Sequence, residues 1–374
     1  MNLSKIFGLV PVQVFTVIKK ANAIMNIKPI FAVSFLCFLV IVIPSCKKSN
    51  GTNNTGGGTD SASTIYTTTL AGGNSTNGTF DFGPTGVTVD AQGNVYAAIP
   101  TGSYIAKITP SGVVSTFAGS DGNPGCEPGT GTSATFTDPS ALCIDAQGNI
   151  YVADYMCDIK RISPSGVSTK FSSSDVYNNV IIAPQAICID ANGNIYSANQ
   201  LGEEGIAKTT PGGVVSRFAG SDTAGYQDGP VAIAKFNGLG ITGLCADANG
   251  NIYVADPPRI RKISNGQVTT VAGNANNGFT NGKGTTATFG GAMGLCIGPD
   301  GNIYIADVYN NMIRKMTPDG TVTTVSGTAD AGFKDGDPKV AQFNQPSNLC
   351  FDAQGNLYVA DYGNKMIRKI TFPK

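Results

Sequence analysis

The sequence contains no histidine and no tryptophan, and only 13% of its 374 residues are charged. Without histidine the chain cannot build a Ser-His-Asp triad, a Cys-His pair or a histidine-ligated zinc or iron site. Any catalysis would therefore depend on carboxylates, tyrosine, lysine or cysteine. Lysine plus arginine and aspartate plus glutamate each number 25, so no overall field attracts nucleic acid or a membrane surface.

The abundant residue is glycine, which occurs 48 times, and the polar residues are mainly threonine, serine and asparagine. Threonine favours strands, while glycine and asparagine favour the turns between them. A chain that stays soluble with so few charges is more typical of an extracytoplasmic β-protein than of a helical one. We therefore expect an all-β fold.

Long apolar runs are scarce, and one lies near the N terminus at 30–44, IFAVSFLCFLVIVIP. Its apolar part has about 14 residues, fewer than the roughly 20 of a membrane-spanning helix. It follows Lys28-Pro29 and ends at Pro44-Ser45-Cys46, the order of a secretory signal. The cysteine that follows resembles a bacterial lipoprotein signal, in which Cys46 becomes the lipidated first residue. An uncleaved anchor or a coincidental cysteine is the alternative.

We expect residues 1–45 to be the signal peptide, with Met25 as an alternative start that gives a more compact charged leader. Residues 46–63 are a tether rich in glycine, asparagine and serine, which cannot bury a core. Such a tether spans about 20–25 Å. The sequence thus predicts an extracytoplasmic domain, in the periplasm or at the cell surface, that is held to a membrane through lipid on Cys46.

One motif, DAQGNIYVADY at 145–155, recurs along the rest of the chain and indicates a repeated unit. Each unit contains four short segments in which apolar and polar residues alternate between turn residues, the pattern of strands. The first positions of the copies are Asp90, Asp145, Asp190, Asp247, Gly298 and Asp352.

Four strands in each of six units predict a six-bladed β-propeller over residues 64–374. The sixth unit stops after its third strand, MIRKIT at 366–371. The segment TTTLAG at 67–72 matches the fourth strand of the other units. We predict that this N-terminal strand completes the last blade, closing the ring and removing exposed strand edges.

The pattern D-x-x-G-N-I-Y-V-A-D, followed by N-x-x-I-R-K and T-V-A-G, resembles the NHL repeat over about 64–371. The loops AGYQDG (224–229), NGFTNG (277–282) and AGFKDG (331–336) are also similar to that family. NHL propellers serve as enzymes, ligand-binding modules and RNA-binding modules. The resemblance therefore implies the fold and leaves the function open.

The recurring motif has two interpretations. Asp145 and Gly148 suit a tight hairpin, because aspartate accepts hydrogen bonds from nearby backbone N–H groups and glycine tolerates a positive φ. The alternative is a calcium loop, but such loops need more acidic ligands and a distal glutamate, and none follows here. We favour the turn and expect no metal or other cofactor.

A basic residue recurs in the third strand of every unit. These residues could form an anion-binding ring, but a residue that recurs in every blade is better explained by a structural role within each blade. We therefore favour a solvated or salt-bridged side of six equivalent strands. Separately, an aspartate ends the second strand in four units, at 154, 256, 307 and 361. The basic residues are Lys107, Arg161, Lys208, Lys262, Lys315 and Lys369.

Cysteines fall into two groups. Five occupy one repeat position between apolar neighbours, where small buried thiols pack well, although a ring of metal-binding thiolates is the alternative. Cys126 and Cys157 break the pattern, because they lie in two loop classes that emerge on the same face of a propeller. We predict that they form a disulfide, which an extracytoplasmic setting permits. The five repeated cysteines are Cys143, Cys188, Cys245, Cys296 and Cys350.

The units differ most in the loops between blades and between second and third strands, which share one face. Tyrosine and arginine there suit protein or glycan contacts, while the alternative is that these are merely tolerated loop differences. The candidates are Tyr104, Tyr155, Glu203, Glu204, Arg259, Tyr309 and Tyr362.

Three functions compete. We favour a monomeric, tethered binding or scaffold module that recognises a protein or glycan through its loop face, without enzymatic activity. The alternative is a hydrolase resembling the calcium-dependent gluconolactonases, which carry carboxylates or asparagine around the channel. Nucleic-acid binding is opposed by the zero net charge and by the lack of a basic cluster in the loops. None of the corresponding channel positions is a carboxylate: Thr85, Ser140, Gln185, Thr242, Met293 and Ser347.

Overall fold

The computed structural model describes residues 64–73, 78–155, 157–172, 183–199, 205–237 and 240–373. The predicted signal, the tether and Cys46 lie outside these residues, as do Glu203 and Glu204. No helix within the described ranges is long and apolar enough to cross a membrane.

The strands form six antiparallel sheets, the blades of a six-bladed β-propeller. Blade 6 contains the first strand of the chain, β1 (Tyr66–Gly72). Blade 1 contains β2 (Gly86–Val89), β3 (Val95–Ile99), β4 (Tyr104–Ile108) and β5 (Val114–Gly119). Blade 2 contains β6 (Gly129–Thr130), β7 (Pro139–Ile144), β8 (Ile150–Asp154), β9 (Ile159–Ile162) and β10 (Val167–Lys170).

Blade 3 contains β11 (Pro184–Ile189), β12 (Ile195–Asn199), β13 (Gly205–Thr209) and β14 (Val215–Ala219). Blade 4 contains β15 (Gly229–Pro230), β16 (Gly243–Ala246), β17 (Ile252–Asp256), β18 (Arg259–Ser264) and β19 (Gln267–Ala272). Blade 5 contains β20 (Gly282–Lys283), β21 (Ala292–Ile297), β22 (Ile303–Asp307), β23 (Met312–Met316) and β24 (Thr321–Ser326). Blade 6 is completed by β25 (Pro346–Phe351), β26 (Leu357–Asp361) and β27 (Met366–Thr371).

Helical structure among the described residues is limited to short 3-10 turns. These span Gly131–Ser133, Gly284–Thr286, Val308–Asn310 and Tyr362–Asn364.

The ring closes through β1, as the sequence predicts. This strand pairs antiparallel with β27, with Tyr66 opposite Thr371 and Gly72 opposite Met366. Its outer edge is also covered, because Thr67 exchanges two backbone hydrogen bonds with Gly336, of 2.8 and 3.0 Å. The first and last strands of the domain therefore belong to one sheet.

The core lies between the blades. The alternation of the strands places one set of side chains on each sheet face, and each face packs on the neighbouring blade. Tyr96 and Ala98 of blade 1, for example, share a buried cluster with Leu142 and Val152 of blade 2. The innermost strands, β2, β7, β11, β16, β21 and β25, surround a central channel of about 370 Å³.

The recurring motif forms the hairpin between the first two strands of each blade. The Asp145 carboxylate accepts hydrogen bonds from the backbone N–H groups of Gln147 (3.0 Å) and Asn149 (2.8 Å) and from the Asn149 amide (2.8 Å). Gly148 has a φ of 81°, which a residue with a side chain rarely adopts. The carboxylate oxygens are thus engaged in holding a turn.

Blade 5 makes the same hairpin with a shifted residue. Gly298 stands where the other blades have aspartate, and Asp300 supplies the carboxylate instead. The Asp300 carboxylate accepts hydrogen bonds from the Asn302 amide (2.6 Å) and the Tyr304 hydroxyl (3.1 Å). The motif tolerates this shift because the turn needs a carboxylate at that location in the fold, and a residue at a different sequence position can supply it.

Candidate ligand-binding face

The loops between blades and the loops between second and third strands meet on one face of the propeller, which we call the loop face. In blade 5 the Asn310 amide donates a hydrogen bond of 2.7 Å to the Gly278 carbonyl. In blade 6 the Asn364 amide donates an equivalent bond of 2.8 Å to the Gly332 carbonyl. These contacts hold each pair of loops side by side.

Buried ion pairs stabilise the loops that form the loop face. The Asp361 carboxylate is fully buried and lies 3.0 Å from the Arg368 guanidinium, which also reaches Asp335 in the neighbouring loop at 2.7 Å. Desolvation raises the pKa of Asp361 to about 6, although hydrogen bonds from Asn344, Asn364 and Arg368 oppose this shift. Because buried charges must be paired, this pair fixes the loop that follows β26.

The same arrangement recurs in three other blades. The pairs are Asp154–Lys160 (3.2 Å), Asp256–Arg261 (2.7 Å) and Asp307–Arg314 (2.9 Å). In each pair the basic residue comes one position before the basic residue that recurs in the third strand of every unit. Blades 1 and 3 have Ile99 and Asn199 in place of the aspartate.

The basic residues predicted from the repeat have a different role. The Lys262 ammonium lies over the Tyr253 ring, 5.3 Å from its centroid. Lys107, Lys208 and Lys369 lie over the equivalent tyrosines Tyr96, Tyr196 and Tyr358 at 5.6 to 5.7 Å. They cover the sides of the blades, and in blades 2, 4, 5 and 6 the preceding residue is the one that pairs with the buried aspartate.

Exposed aromatic side chains cluster on the loop face of blades 4 to 6. Tyr226, Phe279 and Phe333 occupy equivalent positions in the loops that enter these blades and are 44%, 54% and 53% exposed. Tyr309, between β22 and β23, is 66% exposed. We call these four residues the aromatic arc. Monomeric proteins seldom keep several large apolar side chains exposed on one face unless the face binds something.

Arg259 adds a cation to the arc. Its guanidinium carbon lies 3.8 Å from the centroid of the Tyr226 ring, a close cation–π contact. The Tyr226 hydroxyl donates a hydrogen bond to the Pro257 carbonyl. The Nη1 atom of Arg259 has no hydrogen-bond partner among the described residues. The Nη1 atom is buried against its surroundings, so the cation–π contact with Tyr226 is the interaction that holds the guanidinium.

Blade 2 replaces the aromatic residue with cysteine. Cys126 occupies the position of Tyr226, Phe279 and Phe333, while Cys157 occupies that of Asn310. The structure joins Cys126 and Cys157 in a disulfide, with Cα atoms 5.8 Å apart. The disulfide links the same two loops that hydrogen bonds link in blades 5 and 6, so blade 2 contributes no ring at this position.

The predicted candidates separate into two groups. Arg259 and Tyr309 lie on or beside the arc, whereas Tyr104, Tyr155 and Tyr362 are half-buried. Tyr226, Phe279 and Phe333 were missed, because residues that recur in three loops resemble structural residues. The signal that could have revealed them is an aromatic residue in the middle of an otherwise polar turn.

Tyr155 and Tyr362 lie near Asp138, at the entrance to β7. Burial raises the pKa of both tyrosines, and the Asp138 charge raises it further. Burial and the Asp154 charge likewise raise the pKa of Asp138. A carboxyl group and two phenols therefore lie together near one mouth of the channel.

Hydroxyl groups at the channel positions connect neighbouring inner strands. Thr85 donates a hydrogen bond of 2.9 Å to the Ser140 carbonyl, and Thr242 donates one of 2.8 Å to the Ala292 carbonyl. Ser347 donates one of 3.0 Å to the Thr85 carbonyl. In the described part of the chain no three carboxylate or thiol groups lie close enough together to hold a metal ion.

The five repeated cysteines line the channel and form no disulfide. Burial raises the pKa of each thiol, and neighbouring carboxylates raise it further. They therefore remain protonated near neutral pH, which suits packing and not metal binding.

The six blades, their closure by β1 and the open channel define a β-propeller. The family model of the NHL repeat matches residues 343–370, in the last blade. A further relative is the chloroplast protein SUPPRESSOR OF QUENCHING 1 of Arabidopsis thaliana, which is 40% identical over 98 residues. That match covers 26% of this chain and 9% of the relative.

Solved structures share the fold at low sequence identity. A protein of unknown function from Bacteroides thetaiotaomicron has a TM-score of 0.66 and 20% identity, covering 82% of this chain and 76% of its own. An auxiliary nutrient binding protein from Bacteroides ovatus has a TM-score of 0.63 and 16% identity, with the same coverage of 82% and 76%. A gluconolactonase from Xanthomonas campestris has a TM-score of 0.55 and 13% identity, covering 82% and 89%.

Proposed function

We propose that the protein is a non-enzymatic binding module that recognises a glycan or protein outside the cytoplasm through the aromatic arc and Arg259. The observation that carries this proposal is the exposure of four aromatic side chains on three neighbouring blades of one face. A propeller is rigid, so a ligand meets these rings without the cost of ordering them.

The chemistry of the arc suits a ligand with both apolar and polar groups. Aromatic rings present flat apolar faces, on which the C–H face of a sugar or an apolar side chain can pack. The half-buried guanidinium of Arg259 adds a positive charge beside the Tyr226 ring, which favours a hydroxyl or carboxylate on the ligand. Aromatic and arginine side chains are also the residues that dominate the energetics of protein interfaces.

We further propose that lipid on Cys46 holds the domain at a membrane through residues 46–63. The signal-like segment that ends at Cys46 supports this address. The likeness to a nutrient binding protein of Bacteroides is consistent with an extracytoplasmic setting. Metabolic labelling with a fatty-acid probe should tag the wild-type protein and not the Cys46→Ser variant; a wild-type protein that takes up no label would contradict lipid anchoring.

The binding proposal is tested with soluble protein that begins at residue 46 and carries Cys46→Ser. The protein is applied to an array of purified polysaccharides and oligosaccharides, and is photo-crosslinked from position 279 to envelope proteins. The triple variant Tyr226→Ala/Phe279→Ala/Phe333→Ala should lose the signal while keeping its circular dichroism spectrum. A ligand bound equally by the triple variant would refute a role for the arc.

Hydrolysis of a lactone or ester is the second candidate, and one observation favours it. Asp138 lies with Tyr155 and Tyr362 near the mouth of the channel, and burial and the Asp154 charge raise the pKa of this carboxyl group. Lactone and ester turnover should be measured during a calcium titration. Turnover that Asp138→Asn abolishes would replace the binding proposal with this one.

A further inference from the structure

A groove of about 610 Å³ lies between blades 5 and 6, on the side of the propeller opposite the loop face. It is lined by the rings of Tyr304, Phe351 and Phe372 and by Lys315 and Asp300. Asp300 belongs to the hairpin between β21 and β22, and this hairpin lies at the other end of β22 from Tyr309 of the arc. The groove and the arc are therefore separate surfaces.

The groove exists because an aromatic residue is absent. In blades 1 to 3 the tyrosine of the second strand packs edge-on against a phenylalanine of its own blade, with ring centroids 4.8 Å apart: Tyr96–Phe117, Tyr151–Phe171 and Tyr196–Phe218. In blade 5 Val325 occupies the position of that phenylalanine. Tyr304 instead contacts Phe351 of blade 6 at 4.8 Å and Phe372 at 5.7 Å.

The closure of the ring keeps this space open. In the other blades a hairpin joins the third and fourth strands, but in blade 6 the fourth strand is β1, from the opposite end of the domain. The strands β27 and β1 are not consecutive in the chain, so no hairpin joins them, and Ile65 and Phe372 line the groove at this point. Blade 4 also has valine, Val271, but there the hairpin is present.

Lys315 differs from its equivalents in the other blades. Four of those, including Lys262 and Lys369, lie over the tyrosine of their own blade. Within the described ranges, the Lys315 ammonium has no hydrogen bond, no ion pair within 4 Å and no ring contact, and it faces the groove. Its nearby negative group is Asp300, whose carboxylate already accepts hydrogen bonds from Asn302 and Tyr304.

We propose that this groove binds a small monocarboxylate that carries a ring. The ring would pack against Phe351 and Phe372, and the carboxylate would pair with Lys315. The volume lies within the range of about 300–1,000 Å³ of small-molecule sites, and an apolar lining with one or two charged groups is their usual composition. The fixed negative charge of Asp300 disfavours a ligand with a second carboxylate.

The proposal is tested with three compounds of similar shape: 3-phenylpropionate, its neutral analogue 3-phenylpropanol, and the dianion benzylsuccinate. Isothermal titration calorimetry and saturation-transfer NMR are applied to the soluble protein with Cys46→Ser. 3-Phenylpropionate should bind saturably. 3-Phenylpropanol should bind at least about tenfold more weakly, because it lacks the carboxylate that pairs with Lys315. Benzylsuccinate should also bind at least about tenfold more weakly, because Asp300 repels its second carboxylate.

Two variants locate the site. Lys315→Gln should weaken 3-phenylpropionate binding about tenfold or more and leave 3-phenylpropanol unchanged. Lys369→Gln changes the equivalent lysine of blade 6, which lies over Tyr358, and should leave both affinities unchanged. Absence of saturable 3-phenylpropionate binding up to about 10 mM, or equal losses in the two variants, would overturn the proposal. The variants leave the aromatic arc intact, so the outcome is independent of the proposed function.

Discussion

The Arg259 guanidinium lies over the ring of Tyr226, with its central carbon 3.8 Å from the ring centroid. This contact joins the first residue of β18 to the loop that enters blade 4. In blade 5 a hydrogen bond from Asn310 to Gly278 joins the equivalent loops, and in blade 2 a disulfide does so. The two loops are thus held together by a different interaction in each of these three blades. Of the three interactions, only that of blade 4 also places a cation where we propose that a ligand binds.

Replacing Arg259 should therefore affect binding more than stability. Arg259→Lys keeps the charge but loses the flat stack on Tyr226, so we expect a binding loss close to that of Arg259→Ala. The loss of the cation–π contact should lower the free energy of unfolding by only about 0.5–1 kcal/mol. Urea denaturation and titration with the ligand found on the array would measure both. Val214→Ala, an exposed residue on the opposite side of the propeller, is the matched control and should change neither.

The disulfide should make a larger contribution to stability. Cys126 and Cys157 are 31 residues apart, and closing a loop of that length is worth about 3–4 kcal/mol. Cys157→Ala should cost an amount of this order in urea denaturation. Cys157→Asn should cost less, because Asn310 and Asn364 show that asparagine at this position can bond to the facing loop. Peptide mass spectrometry without reduction should find the two cysteines linked, and free thiols at both positions would contradict the structure.

The buried pair of Asp361 and Arg368 should behave as a unit. Arg368→Met leaves Asp361 buried without its cation and should cost about 3–5 kcal/mol of unfolding free energy. The double variant Asp361→Asn/Arg368→Met should recover part of that loss, since no fully buried charge then remains unpaired and Asp335 is partly exposed. A double-mutant cycle measured by urea denaturation checks this coupling. Additive effects of the two single changes would show that the pair is not coupled.

Acid should weaken the hairpins of the repeated motif. Burial alone would raise the pKa of Asp190, but hydrogen bonds from Asn194, Asn192 and Tyr196 outweigh it and hold the pKa below its usual value. A carboxylate with a lowered pKa stabilises the fold above its unfolded pKa of about 4, and this contribution is lost as the pH falls through the folded value.

The wild-type protein should thus lose stability below about pH 4, and Asp190→Ala should lose less over the same interval. At neutral pH this variant should be less stable by about 1–3 kcal/mol, because the N–H groups lose their acceptor. Melting temperatures measured with and without calcium complete the experiment. A rise in melting temperature with calcium that Asp190→Ala removes would support the ion-loop interpretation instead of the turn.

The fold could be predicted because its determinants are local and repeated. The hairpin of Asp145, the strand alternation and the displaced fourth strand at 67–72 are all visible in short segments. The arc could not be predicted, because the exposure of Phe279 depends on how two distant loops pack. Nor could the groove, which requires Val325, Phe372 and the closure by β1 to coincide. Recurrence marked Asp145 correctly as structural but also concealed Tyr226, Phe279 and Phe333.

The pairing of β1 with β27 also determines when the last blade can form during synthesis of the chain. Tyr66 and Thr371 are about 300 residues apart, so β1 leaves the ribosome long before its partner exists. At about 5–20 residues per second, the interval is roughly 15 to 60 seconds. During that time β1 is an unpaired strand, because β25, β26 and β27 of blade 6 have not yet been made, and an unpaired strand is prone to wrong pairing. The ring can therefore close only after the last strand has been synthesised. A factor that shields residues 66–72 until then would increase the yield of folded protein.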